Sequence, residues 1–221
     1  MAASHVVLVH GAWHGAWCWE GVVEELRGRD VTVTAIDLPL TGIQDDVACA
    51  RAAIEAAAPG CVVVGHSYGG EVISGAAAGL STVSHLVYLA ALMTEPGEDV
   101  GPLMTGSAIV GAVRVGEAGV TIDPSRAAEA FYGDSDPDTA AALVARLRPM
   151  APGPMALQSG EAAWQSIPST YVVCTEDRAV PVAAQRRMAT RAGAVVEWPT
   201  DHSPFVTRPG EVAELIARYT T

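Results

Sequence analysis

A short apolar run leads directly into the sequence G-H-S-Y-G-G at residues 65–70. The run, residues 61–64, is rich in β-branched side chains and predicts a buried strand. The apolar residues from Val72 to Leu80 have the spacing of a helix. Ser67 is therefore expected in a sharp strand-to-helix turn that exposes its hydroxyl at the edge of a sheet.

Two glycines flank this serine, Gly65 and Gly69. A side chain at either position would collide with the neighbouring strand or helix, so both glycines are expected to be required. The start of the following helix would also direct free N–H groups and its positive dipole end at negative charge that develops beside Ser67. The pattern predicts Ser67 as a nucleophile, and the alternative is an ordinary structural turn.

The charge balance restricts the partners. The 221 residues include 13 basic and 25 acidic side chains, for a formal net charge of −12. Nucleic acids and anionic membranes both require a basic surface, so we expect neither as a partner. The length fits one sizeable α/β domain, which we place at residues 1–221. A neutral small molecule is the expected substrate.

The four cysteines, Cys18, Cys49, Cys61 and Cys174, are scattered, with no C-x-x-C pair. No histidine follows at zinc-site spacing, so we expect no metal and no other cofactor. The first five residues carry no basic and apolar signal-peptide pattern, and no apolar segment has transmembrane length. We expect a reduced, cytoplasmic protein.

Strands and helices alternate in the first 90 residues and again after about residue 168. Such alternation predicts right-handed crossovers and a mostly parallel sheet of about six strands, flanked by helices. The predicted strands are Val6–Val9, Val31–Ile36, the run 61–64, Ser84–Ala90, Thr170–Cys174 and Ala194–Trp198. The predicted helices are Glu20–Arg27, Asp45–Ala58, Tyr68–Leu80, Pro181–Ala192 and Pro209–Tyr219.

The alternation stops in residues 92–167, where glycine and proline recur. Within this segment, residues 113–115 and 120–122 predict a small hairpin, and residues 138–148 predict an amphipathic helix. A segment of this length is too long for a simple connection, and we interpret it as a cap inserted over the functional edge. The alternative is a solvent-facing decoration.

A serine hydroxyl needs a base to accept its proton and a carboxylate to hold that base in the right tautomer. Asp177 follows one predicted strand and His202 follows the last. The carboxyl ends of parallel strands share one edge, so both side chains are expected beside Ser67. Glu176 is the alternative acid, whereas Asp37 lies two residues before Pro39 and is expected to cap a turn.

Three segments carry a family resemblance. They are V-L-V-H-G-A-W-H-G-A-W-C-W at residues 7–19, G-H-S-Y-G-G at residues 65–70 and D-H-S-P at residues 201–204. The chain resembles the α/β-hydrolase superfamily outside the cap. More narrowly, it is similar to the group that contains plant methyl esterases, hydroxynitrile lyases and their bacterial hydrolase relatives. The resemblance implies an α/β-hydrolase fold and a cofactor-free enzyme.

The resemblance also implies roles for individual residues. Ser67 corresponds to the nucleophile, His202 to the base and Asp177 to the orienting acid. The backbone N–H groups of Ala12 and Tyr68 correspond to the oxyanion hole.

Two positions bear on the type of reaction. The plant lyases of this group carry a threonine after the first-strand histidine and a lysine after the catalytic histidine, whereas this chain has Gly11 and Ser203. An oxyanion hole without those groups favours hydrolysis of a small, largely apolar carboxylic ester through an acyl-enzyme. The alternatives are a lyase or C–C-bond-cleaving enzyme that uses the same triad for proton transfer, and a non-catalytic small-ligand receptor.

Large apolar and aromatic residues of the first loop and the cap are candidates for the substrate pocket, with the cap core as the alternative place for them. These candidates are Trp13, His14, Met93, Leu103, Met150, Met155 and Trp164. An apolar cap is also compatible with a homodimer.

Overall fold

The structure is a computed structural model and describes residues 5–220. The prediction that the chain lacks a signal peptide depends mainly on residues 1–4, which lie outside the described residues. No helix within residues 5–220 is both long enough and apolar enough to cross a membrane.

The structure has eight strands within the described residues: β1 (His5–Val9), β2 (Thr32–Ile36), β3 (Cys61–His66), β4 (Val83–Leu89), β5 (Val113–Gly116), β6 (Gly119–Ile122), β7 (Ser169–Cys174) and β8 (Ala194–Trp198). Six of them form one parallel sheet in the order β2-β1-β3-β4-β7-β8, and β5 and β6 form a separate antiparallel hairpin. The predicted six-stranded sheet and the predicted hairpin are both confirmed.

Helices cover both faces of the sheet. They are α1 (Glu20–Arg27), α2 (Ile43–Ala56), α3 (Gly69–Ala76), α4 (Pro124–Phe131), α5 (Pro137–Val144), α6 (Val182–Ala189), α7 (Pro204–Thr207) and α8 (Pro209–Ala217). Short 3₁₀ turns lie at Ala16–Trp19, Gly101–Met104 and Ala163–Gln165.

The central strands are mostly apolar because both of their faces are buried. Along β1, Val7 and Val9 pack in the cluster that contains α2, α3 and α6. Val6 and Leu8 point to the opposite face and pack with α1 and α8. Continuous β-branched and leucine runs are typical of parallel strands covered on both sides, and the predicted α/β fold is confirmed.

The order of the strands reverses between β1 and β3. The chain passes from β1 outward to β2 and then returns to place β3 on the other side of β1. The loops after β1 and β3 therefore leave the same edge at neighbouring points. Such a switch point opens the crevice in which α/β proteins bind ligands.

Several predicted helices end earlier than expected. The helix after the serine ends at Ala76, shortly before Gly79, which has a φ of 73°. The helix predicted at residues 138–148 covers Pro137–Val144 and begins with Asp136, whose carboxylate accepts from two backbone N–H groups.

Helix α4 was not predicted, although its start has a clear local signal. Asp123 caps it by accepting from the Ser125 N–H, and Pro124 occupies the first helical position. This combination of an N-cap carboxylate and a following proline is a common helix start.

Direct backbone packing makes Gly69 a sensitive position. A Cβ atom at Gly69 would lie 2.7 Å from the carbonyl oxygens of both Val9 and His10. We expect Gly69→Ala to lower the free energy of unfolding by about 1–3 kcal/mol, since neither strand nor helix can move freely. The exposed Gly116 has nothing within 4 Å of its virtual Cβ, so Gly116→Ala should change stability by less than about 0.5 kcal/mol. Urea unfolding of both variants measures the difference, and equal effects would contradict the packing argument.

Candidate active site

Ser67 lies in a strained turn between β3 and α3. Its φ of 54° falls in the left-handed region, which residues other than glycine rarely adopt. The turn is held because the Ser67 carbonyl accepts from the N–H of Gly70 at 3.0 Å and from that of Leu92 at 2.9 Å. Within residues 61–70, Ser67 alone is not buried. The fold thus presents one hydroxyl at the carboxyl edge of the sheet.

The glycines around the serine are sterically required, as the sequence predicted. A Cβ at Gly65 would lie 2.6 Å from the Gly69 carbonyl oxygen, at the start of α3. A Cβ at Gly70 would lie 2.1 Å from the Leu92 carbonyl oxygen. These approaches are closer than van der Waals contact, so only glycine allows α3 to begin at this point.

The structure brings Asp177 and His202 together. The Nδ1 atom of His202 lies 2.7 Å from Oδ2 of Asp177, and both side chains are buried. Asp177 Oδ1 accepts from the N–H groups of Ala179 and Val180, and its Oδ2 accepts from Gln185. These three donors hold the carboxylate in a fixed orientation. It can therefore accept the Nδ1 proton of His202 and leave Nε2 free to act as a base.

The other face of His202 lies against the histidine that precedes the serine. His66 Nε2 donates to the His202 carbonyl at 2.9 Å, and the two ring centroids are 4.5 Å apart. The Nε2 atom of His202 is buried and has no hydrogen-bond partner among residues 5–220. Bonds between a nucleophile and its base often tighten only when substrate binds.

The two predicted oxyanion donors lie in buried loops at the switch point. Ala12 is in the loop after β1, and Tyr68 directly follows the serine. Within the described part of the chain, neither backbone N–H has an intramolecular acceptor. Both N–H groups are thus available to a ligand oxygen.

A buried acid holds the side chain of Tyr68. The Tyr68 hydroxyl donates to Asp46 Oδ2 at 2.7 Å, and the other Asp46 oxygen accepts from the Leu40 N–H at 2.8 Å. Burial raises the pKa of the Asp46 carboxyl above its ordinary value. Asp46 lies in α2, so this helix is linked directly to the residue after the nucleophile.

Ser67 lines a cavity of about 210 Å³ whose other walls are apolar. Among residues 5–220, no charged side chain lines this cavity. Most of the wall comes from residues 100–155, the middle of the predicted cap. The principal wall residues are Trp13, Leu92, Met104, Ile109, Val113, Val120, Met150, Met155 and Val180.

The pocket predictions separate into two groups. Trp13, Met150 and Met155 line the cavity, and the indole N–H of Trp13 donates to the Val120 carbonyl at 3.1 Å. The remaining candidates lie away from the lining, where they pack in the protein instead. These are His14, Met93, Leu103 and Trp164.

Each of the residues away from the cavity has an alternative contact. Met93 and Leu103 are buried in the hydrophobic core, and Trp164 packs at its margin with the Arg191 guanidinium 5.8 Å from its ring. His14 is enclosed by protein, with Nδ1 on the Ala12 carbonyl and Nε2 accepting from the Tyr132 hydroxyl. Burial lowers its pKa to about 3, so the ring is neutral.

The positions of the rival acids differ from that of Asp177. Glu176 is exposed, although it is the neighbour of Asp177 in sequence. Asp37 is exposed and accepts from the Ala16 N–H at 2.8 Å. Asp177 is the carboxylate that contacts His202, as the sequence predicted.

Sequence reasoning missed Gln185 and Arg148. Gln185 lies in α6, eight residues after Asp177, and holds the carboxylate through Nε2 at 2.8 Å. Arg148 donates to the carbonyls of His14 and Leu38 and connects the predicted cap to the loop after β1. Neither residue belongs to a local motif, because its partners are brought near only by folding.

The cysteines and acidic residues form no metal centre in the described structure. Cys18, Cys49, Cys61 and Cys174 are free thiols. No group of three or more histidine, cysteine or acidic residues within residues 5–220 is arranged to hold a metal ion.

A parallel sheet with a strained serine at its switch point and an Asp–His pair on the same edge defines an α/β enzyme architecture. The sequence matches the Alpha/beta hydrolase family over residues 6–215. The chain belongs to this family, so the resemblance inferred from its motifs is confirmed.

Relatives agree with this assignment. The alpha/beta hydrolase nvfD of Aspergillus novofumigatus is 28% identical over 240 residues, which cover 98% of this chain and 96% of the fungal protein. The probable esterase PIR7A of Oryza sativa subsp. indica is 28% identical over 254 residues, which cover 97% of this chain and 96% of the rice protein. The structure of tomato methylketone synthase I complexed with 2-tridecanone matches with a TM-score of 0.84 at 26% identity, with 100% of each chain covered. Family and relatives support an enzyme that hydrolyses esters.

The contact between Asp177 and His202 can be tested with a matched pair of variants. In Asp177→Asn an amide N–H₂ group can face His202 Nδ1 in place of the carboxylate oxygen. This arrangement favours the tautomer of His202 that carries its proton on Nε2, which cannot act as the base. We expect kcat for p-nitrophenyl acetate to fall by roughly 10³–10⁴-fold. Glu176→Gln alters the exposed neighbouring acid and should stay within about twofold of the original protein. A larger loss in Glu176→Gln than in Asp177→Asn would reverse the assignment of the acid.

Proposed function

We propose that the protein is a serine esterase that cleaves a small, largely apolar carboxylic ester through an acyl-enzyme. One observation carries this proposal: Ser67 opens onto an apolar cavity on the edge of the sheet where Asp177 holds His202. In this proposal Ser67 is the nucleophile, His202 the base and Asp177 the orienting acid.

A serine hydroxyl is a weak nucleophile near neutral pH, so the first step requires a base. His202 Nε2 accepts the hydroxyl proton while the Ser67 oxygen bonds to the ester carbonyl carbon. The negative charge then moves to the former carbonyl oxygen, where the N–H groups of Ala12 and Tyr68 can donate to it. The protonated His202 gives its proton to the leaving alcohol, and an acyl group remains on Ser67.

Water completes the cycle. His202, neutral again, accepts a proton from the water molecule that attacks the acyl carbon, and the same two N–H groups stabilise the second oxyanion. The bond between the acyl carbon and the Ser67 oxygen then breaks, His202 returns a proton to that oxygen, and the carboxylic acid is released. No redox step or cofactor enters this sequence.

The cavity favours neutral, apolar substrate groups. In the part of the chain that the structure describes, its walls provide aliphatic, aromatic and sulfur-containing side chains but no cation that could pair with a carboxylate. Transfer of an aliphatic group into such a cavity gains about 0.8 kcal/mol per buried methylene. The structure of the tomato relative contains 2-tridecanone, a largely aliphatic ketone, which supports a largely apolar ligand for this cavity as well.

The crowding at Gly11 favours hydrolysis over the lyase alternative. A Cβ atom at Gly11 would lie 2.8 Å from Cβ of Ser67. The backbone therefore has no room for the threonine side chain that the plant lyases carry at this position. We keep cyanohydrin cleavage as a competing outcome of the activity assay.

The proposal extends to cellular location and partners. The four free thiols support a reducing, cytoplasmic environment. The formal net charge of −12 supports a small neutral substrate as partner, with no nucleic acid and no anionic membrane. A homodimer remains part of this proposal and is measured by light scattering of the purified protein.

The nucleophile is tested by Ser67→Ala. The original protein should react with a fluorophosphonate probe and release p-nitrophenol from p-nitrophenyl acetate, whereas Ser67→Ala should do neither. Loss of the nucleophile is expected to lower kcat by about 10⁵-fold or more. Equal labelling of the two proteins would exclude Ser67 as nucleophile. Cleavage of mandelonitrile without ester hydrolysis would favour the lyase.

The apolar wall is tested by a change that keeps side-chain length. Met104 lines the cavity, and Met104→Gln places a polar amide in the apolar wall. We expect kcat/KM for p-nitrophenyl hexanoate to fall by about tenfold, equal to about 1.4 kcal/mol, with a smaller effect on the acetate. Val115 is 76% exposed and lies outside the lining, so Val115→Gln is the control and should match the original protein. Equal losses for hexanoate and acetate would show that the chain of the substrate does not contact Met104.

A further inference from the structure

The buried imidazole of His10 bridges two loops at the switch point. His10 is fully buried. Its Nδ1 atom lies 2.8 Å from the Gly11 carbonyl oxygen, and its Nε2 atom lies 2.9 Å from the Leu38 nitrogen. A carbonyl only accepts and a backbone N–H only donates. The ring is therefore the neutral tautomer with its proton on Nδ1.

The electrostatic surroundings keep His10 in this state. Burial lowers its pKa to about 4, and the guanidinium of Arg148 lies 3.4 Å from Nε2. The other charged group acting on the ring is Asp37, whose carboxylate opposes this shift. At neutral pH the proton on Nδ1 is held between the ring and the Gly11 carbonyl.

The Gly11 carbonyl and the Ala12 N–H belong to the same peptide group. A trans peptide is planar, and its carbonyl and N–H point in opposite directions. Whatever fixes the direction of the Gly11 carbonyl therefore fixes the direction of the Ala12 N–H. We propose that His10 is a positioning residue. By donating to the Gly11 carbonyl on one side of the peptide, it orients the Ala12 N–H on the other side toward the oxyanion.

The local sequence gives this restraint a reason. Gly11 lacks a side chain because Ser67 is too close, and glycine leaves its own backbone angles weakly restricted. Trp13, two residues later, has a φ of 63°. The local hydrogen bond from the His14 N–H to the Gly11 carbonyl is long, at 3.4 Å, so the loop needs tertiary contacts to keep one peptide orientation.

Neighbouring contacts hold the partners of His10 in place. His14 Nδ1 donates to the Ala12 carbonyl at 2.8 Å, which restrains the next peptide of the loop. Arg148 donates to the Leu38 carbonyl at 3.2 Å, so the residue whose N–H supports His10 is itself held. The hydrogen bonds run in series from Leu38 through His10 to the Gly11–Ala12 peptide. Each donor in such a series polarises the next.

This inference rests on the proposed esterase function and deepens it, since His10 touches neither the substrate nor the reacting atoms. A purely structural histidine would affect stability alone. A positioning residue affects the oxyanion and hence kcat, while substrate binding in the apolar cavity is unchanged.

Two amide variants, each of which matches the position of one ring nitrogen, separate a positioning role from a purely structural one. In His10→Asn the amide nitrogen can take the place of Nδ1 and donate to the Gly11 carbonyl. In His10→Gln the amide group reaches the place of Nε2 but leaves nothing at Nδ1. We expect His10→Gln to lower kcat for p-nitrophenyl acetate roughly 10- to 100-fold with KM within about threefold. His10→Asn should recover most of that loss.

A transition-state analogue provides a second readout. An aryl trifluoromethyl ketone would form a hemiketal oxyanion with Ser67, so its affinity should fall in His10→Gln by about the same factor as kcat. Thermal unfolding of each variant is measured in parallel. An unchanged kcat in folded His10→Gln, or equal losses in kcat for the Asn and Gln variants, would overturn the role of His10.

The original protein supplies a test that does not depend on whether the variants fold. The ¹⁵N shifts of its His10 ring should show a protonated Nδ1 and an unprotonated Nε2 at pH 7. Protonation on Nε2 would overturn the inference, since Nδ1 would then have no proton to donate. Ester hydrolysis that Ser67→Ala abolishes establishes the proposed function independently, so a negative result with His10→Gln bears on His10 alone. Absence of ester hydrolysis in the original protein would overturn both.

Discussion

Contact between backbones, with no side chain between them, holds the start of α3 against the carboxyl end of β1. At Gly69 a Cβ would lie 2.7 Å from two carbonyl oxygens of β1 and its loop, and at Gly65 it would lie 2.6 Å from the Gly69 carbonyl oxygen. This approach brings the loops after β1 and β3 together. The strained conformation of Ser67 is stabilised by the packing on both sides. The positions of the Ser67 hydroxyl and of the Ala12 and Tyr68 N–H groups all depend on this contact between α3 and the end of β1.

Buried polar groups then hold the two loops from outside the substrate cavity. Asp46 restrains Tyr68 on one side, and His10 and His14 restrain the peptides around Ala12 on the other. Because these groups are satisfied by hydrogen bonds, their burial costs less than it would for unpaired groups. These hydrogen bonds hold the proposed oxyanion site in one arrangement before substrate arrives, and dipoles oriented in advance are the most effective in catalysis.

Substrate selection depends on a different part of the chain. Residues 92–167 supply most of the apolar wall and are attached to the loops through Arg148 and through the hydrogen bond from Trp13 to Val120. A change in the wall can thus alter which ester binds while the sheet still holds the nucleophile and its base. This separation of a fixed edge from a variable segment is typical of α/β folds.

The sequence by itself determined the parallel sheet, the serine turn and its required glycines, since strand periodicity and the glycine–serine turn pattern are both local signals. It also placed Asp177 and His202 after strands of one sheet, which was enough to predict that they meet. Only the tertiary structure decided that Glu176 points to solvent, that Gln185 holds Asp177, and that Met104 lines the cavity while Leu103 lies in the core. These outcomes depend on packing between segments far apart in the chain, and no local pattern records which face of an irregular segment will meet the sheet.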